Sequence, residues 1–132
     1  MGVEFNRDVA GEDRWRVVDT EEDDIIHACH EGFSSKHNAL MNLFINHTMM
    51  SIWVNAVANG DFYKLKFDKG TVDFINDRDG RIRWQITAAN GEIVGAAHKG
   101  FNDKHLAADN LIMTYTMIVL YIAQHALDKV GK

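Results

Sequence analysis

The chain has 132 residues, with 19 acidic against 14 basic side chains and a formal net charge of −5. That length supports a single core and one domain, 1–132, and the acidic balance excludes a protein-wide attraction to nucleic-acid polymer or anionic lipid, though not a local basic pocket. Cys29 stands alone, which rules out an internal disulfide framework. The opening MGVEFNRDVAGED has no apolar core behind a basic flank, so the expected location is the cytoplasm.

Val3-Glu4-Phe5 and Trp15-Arg16-Val17 alternate apolar with polar around a glycine-bearing turn, as in a hairpin with one wet face. Asp19 to Asp24 is an acidic turn without the alternating ligand spacing of a calcium loop. Ile25 to His30 reads as a third strand. From Ser34 the apolar period lengthens to that of a helix, with Ser34 or Ser35 as its cap, running through Ala39, Leu43, Met50, Trp53 and Val57 to a stop at Asn59-Gly60. Phe62 to Phe67 alternates again, as an extra strand or a connector. Strands follow at Val72 to Ile75, Ile82 to Thr87 and Ile93 to His98. Asn90-Gly91 predicts a two-residue type I′ hairpin turn. Asn102 or Asp103 then caps a second long helix reaching about Lys129.

The stretch IVGAAHKGFNDKH at Ile93 to His105 has an earlier copy, IIHACHEGFSSKH, at Ile25 to His37. Ala28, His30, Gly32, Phe33, Lys36 and His37 fall on Ala96, His98, Gly100, Phe101, Lys104 and His105. Upstream, Asp8, Gly11, Arg14 and Trp15 fall on Asp77, Gly80, Arg83 and Trp84; downstream, Asn42 and Leu43 fall on Asn110 and Leu111. The expected fold is therefore α+β: two strand-strand-strand-helix repeats (3–59 and 71–130, with 60–70 as the connector or extra strand) in one antiparallel sheet, both long helices on one face. Two copies are too few for a solenoid.

Arg83-Trp84-Gln85-Ile86, Ala88-Ala89-Asn90-Gly91 and Gly100-Phe101-Asn102-Asp103-Lys104, with Trp15, Gly32-Phe33 and Ser34-Ser35-Lys36 in the first half, resemble the YegP-like family of uncharacterised bacterial proteins. The resemblance implies the doubled fold and brings no established activity. In architecture alone the chain is also similar to phage anti-defence proteins that counter Thoeris immunity by sequestering cyclic nucleotide signals. That similarity carries no ligand residues onto this sequence.

Leu111 to Ala123 contains no charge and is apolar almost all round, as in a helix buried on several sides. The uncharged run is shorter than the ~20 residues a bilayer requires, so no membrane span is expected. The length of both helices predicts a homo-oligomer assembled through them. Lys36 with His37, and Lys104 with His105, place cations in the first turn of a helix, where the dipole favours anions. One reading is an anion site at each helix start, with His30 and His98 nearby at the ends of the third strands and Arg83 and Asn90 as further ligand-binding candidates. The other is that these lysines point into water. The four paired histidines match no compact zinc pattern, and neither a metal nor a cofactor is expected. Trp15 and Trp84, each beside an arginine, read as core residues or as stacking platforms. With no nucleophile elbow, phosphate loop or dinucleotide fingerprint, the expected function is non-enzymatic. It is capture of a small anionic or cyclic nucleotide ligand between subunits, the alternative being a structural or protein-interaction module without a ligand.

Overall fold

Period-two stretches become antiparallel strands and the two stretches of helical period become long helices. A computed structural model describes residues 2–19, 24–29, 32–57 and 64–130. In order these are β1 (Gly2–Arg7), β2 (Asp13–Asp19), β3 (Asp24–Ala28), α1 (Lys36–Val57), β4 (Lys64–Phe67), β5 (Gly70–Asn76), β6 (Ile82–Ala88), β7 (Ile93–Ala96) and α2 (Lys104–Val130). Phe62 to Phe67 thus contributes a strand, β4, from Lys64 onward. The middle of the acidic turn, His30 and the Asn59-Gly60 stop lie outside the described residues.

Three hairpins close in the same way. Across Asp8–Gly11, Asp77–Gly80 and Ala88–Gly91 the glycine N–H donates to the carbonyl three residues earlier, at 3.0, 3.1 and 2.9 Å. Each glycine has positive φ, between 74° and 90°, a left-handed closing residue that costs an L side chain energy and glycine none. The two-residue turn expected at Asn90-Gly91 is therefore one residue longer, beginning at Ala89. The Asn90 side chain stabilises it by accepting the Glu92 N–H at 3.0 Å.

The strands form two separate sheets, β1-β2-β3 and β4-β5-β6-β7, rather than the single sheet expected from the sequence. A bulge accounts for part of this. In β7 the register passes from Gly95 opposite Ile86 to Ile93 opposite Thr87, leaving Val94 as the extra residue. The Val94 carbonyl accepts the side-chain amides of Asn42 at 3.2 Å and Asn46 at 2.9 Å, both from α1. A carbonyl occupied by helix side chains on a kinked edge strand is a poor template for another strand.

Ser35 Oγ accepts the Asn38 N–H at 3.1 Å and Asp103 Oδ1 accepts the Leu106 N–H at 2.9 Å, so each helix starts on a side-chain cap. Helix α1 packs on β2, β5 and β7, and α2 on β1, β2, β3 and β6, so each helix touches strands of both sheets. Tyr115, in mid-α2, stacks on His47 of mid-α1. Tyr121, later in α2, meets the Phe5 ring, over which Lys36 at the start of α1 also sits. The helices therefore run antiparallel. Trp15, Trp53, Trp84, Leu43, Met50, Ile86, Leu111 and Ile118 are fully buried between helices and sheets.

Within α2, Lys104–His125 is 22 residues long and apolar enough to cross a membrane by length and composition. The shortness of its uncharged core therefore does not by itself exclude a span. Its inward face is built for protein contact: Asn110 and Thr114 are buried, Asn110 bonded to Trp84 and Thr114 to the Asn110 carbonyl.

Candidate functional site

Each Trp-bearing strand carries an arginine that is already engaged. Arg14 Nε donates to Asp8 Oδ2 at 2.7 Å, and Arg83 Nε to Asp77 Oδ2 at 2.9 Å. Arg83 Nη1 also donates to the Ala97 carbonyl at 3.0 Å, which fastens the exit of β7 to β6. Both aspartates accept two turn N–H groups through Oδ1. The arginine hydrogen bond, followed by those turn N–H groups, holds the Asp8 and Asp77 carboxyls below their ordinary value. Arg83 is thus a fastener of the hairpin rather than an open anion hook.

Trp15 and Trp84 are core residues, not stacking platforms. Both are fully buried, and their indole N–H groups donate to Asn42 Oδ1 at 2.9 Å and Asn110 Oδ1 at 2.8 Å. A buried indole needs an acceptor, and the helix supplies one at the matching position in each half. An asparagine recurring on the apolar stripe of both helices was the sequence signal for this contact.

Lys36, His37, His98, Lys104 and His105 are exposed. Because the helices are antiparallel, Lys36 and His37 lie beside Tyr121, roughly 25 Å along the helix from Lys104 and His105. The two Lys-His pairs therefore do not converge within one subunit. Arg83, His98, Lys104 and His105 share one end of the second sheet, where Phe101 bridges Ile82. Asn90 lies at the opposite end. The Asp103 carboxylate already gives the start of α2 an anionic acceptor. Among the described residues no group of three His, Cys, Asp or Glu side chains could hold a metal.

The Asn90 end of the sheet has two features that no single stretch of sequence discloses. Asn46 is fully buried; its Nδ2 donates to the Val94 carbonyl and the Asn42 carbonyl, both at 2.9 Å, and its Oδ1 has no hydrogen-bond partner. That oxygen lies against the Cα of Gly95, where a Cβ would overlap it, an arrangement suited to a weak C–H···O contact. Next to it, Ile45, Thr48 and Met49 of α1 and Lys69 and Ala88 of the β4-β5-β6 edge line a partly open cavity of about 230 Å³. No family model, curated protein or solved structure matches the chain.

Proposed function

We propose that the chain is a non-enzymatic, doubled α+β unit that assembles with further copies of itself through the outer faces of α1 and α2 and holds a small anionic ligand at that face. The observation that carries assembly is the apolar surface the helices leave uncovered. Met41 and Ile45 on α1, and Leu106, Ile112, Met113 and Leu120 on α2, are exposed by 39% or more. Only 28% of the most apolar part of Lys104–His125 is buried. Exposed apolar surface of that kind supports contact with another protein surface. The paired contacts Trp15 with Asn42 and Trp84 with Asn110, and Arg14 with Asp8 and Arg83 with Asp77, support the doubled unit, as in the YegP-like family. Sedimentation velocity tests assembly: wild type runs as a dimer or larger at micromolar concentration, and Leu120→Lys shifts towards monomer with an unchanged far-UV spectrum. A wild-type monomer overturns the reading.

A cyclic nucleotide held at the helix starts, as in a phage anti-defence sponge, is a second form of the same reading, favoured by the exposure of Lys36, His37, Lys104 and His105 at matching positions. It requires that cyclic dinucleotides or cyclic ADP-ribose isomers raise the melting temperature and that Lys104→Met abolish the rise.

A further inference from the structure

The cavity beside α1 deepens the ligand part of that reading. Ile45, Met49 and Ala88 make its described lining largely apolar, and among the described lining residues Lys69 is the one that is charged. The lysine is placed by a tight hairpin. Phe67 pairs with Gly70 across the β4-β5 turn, Gly70 pairs with Ala88 of β6, and the Lys69 carbonyl accepts the Ala89 N–H at 2.9 Å. Gly70 has φ 154°, and a Cβ there would collide with the Thr87 carbonyl and come within 2.7 Å of Met49 Cε. No side chain can occupy that position, so the turn is held close against Met49 with Lys69 on the rim. The Thr48 hydroxyl donates to the Phe44 carbonyl at 3.1 Å, so among the described lining residues Lys69 is the one that can supply a cationic donor.

We propose that this cavity is a binding site for a small monoanion with an apolar body of a few carbons, such as a short-chain carboxylate. The aliphatic part packs on Ile45, Met49 and Ala88, and the carboxylate meets Lys69. Charge and size both select this class: a polar, multiply charged ligand would leave its charges against methyl groups, and 230 Å³ lies below the roughly 300–1,000 Å³ of sites for drug-sized ligands. Ile45 is also exposed on the proposed assembly face, so a second copy docking there would cover the mouth of the site.

The test is a titration of the intact protein carrying ¹³C-methyl methionine, the Met49 resonance being assigned by its loss in Met49→Leu. Sodium hexanoate is expected to shift the Met49 methyl saturably. Lys69→Met should weaken binding about tenfold, as loss of a charge-assisted hydrogen bond implies, while Lys69→Arg stays close to wild type. 1-Hexanol, equal in length and uncharged, should bind as weakly to wild type as hexanoate does to Lys69→Met. The proposal is overturned if Met49 shows no saturable shift, if 1-hexanol binds as tightly as hexanoate, or if Lys69→Met binds hexanoate like wild type. Sedimentation of the same samples keeps the two readings apart, since a monomer that binds hexanoate through Lys69 refutes assembly alone, and an oligomer that does not bind it refutes the site alone.

Discussion

Replacing Gly95 with alanine sets two effects of opposite sign against each other at the point where α1 meets β7. In a strand, alanine is worth about 0.5–1 kcal/mol over glycine because the unfolded chain loses less freedom. Against that, the new methyl would overlap Asn46 Oδ1 and come within 3.0 Å of its Cγ. Asn46 is fully buried and its amide is held by the Val94 and Asn42 carbonyls at 2.9 Å. Forcing a methyl into a packed site costs about 1–3 kcal/mol. Turning the amide away instead forfeits hydrogen bonds at about 1 kcal/mol each. The clash wins, and Gly95→Ala should lose about 1–3 kcal/mol in urea unfolding at one fixed protein concentration. Repeating the change in an Asn46→Ser background isolates the contact: with the amide gone, the alanine should be close to neutral. Equal cost in both backgrounds, or a neutral Gly95→Ala in wild type, would refute this account of how the helix and the bulged strand fit.

Asn110→Leu leaves the buried Trp84 indole N–H without its Asn110 acceptor and should cost about 1–3 kcal/mol, read as a fall in melting temperature with a native-like far-UV spectrum; an unchanged midpoint contradicts the assignment. Asp77 is held below its ordinary 3.8 chiefly by the Arg83 hydrogen bond, so its contribution to stability is present above that value and is lost as pH falls through the lowered one. Asp77→Asn should therefore be less stable than wild type at neutral pH, with the gap closing only below about pH 4; a gap independent of pH sinks the claim.

The hairpins, the helices and the α+β class were legible because period-two and helical patterns do not overlap in this chain, and because Gly11, Gly80 and Gly91 mark where strands turn back. Two sheets in place of one were not. The bulge that makes Val94 the extra residue leaves no mark in its side chain, and the Asn46 contact that uses its carbonyl spans 48 residues of sequence. The turn at Asn90-Gly91 departs from its sequence signal as well: Asn-Gly suits a two-residue loop, whereas here it follows the three-residue closure used at Asp8–Gly11 and Asp77–Gly80. Of the candidate site residues, Arg83 is engaged by Asp77 and Asn90 by its own turn, roles that local spacing alone could have suggested. Lys69 could not have been found that way, because the cavity it edges needs α1, the β4-β5 turn and the end of β6 in place together.

An oligomer that retains a small anion is the central claim, and native mass spectrometry of the freshly purified protein reads subunit number and bound mass in one spectrum. Multiples of the 15.0 kDa chain, each subunit carrying a small added mass that disappears in Lys69→Met while the multiplicity stays, are the predicted result. A bare monomer, sprayed from micromolar solution under conditions that preserve a known dimer of similar size, would contradict it.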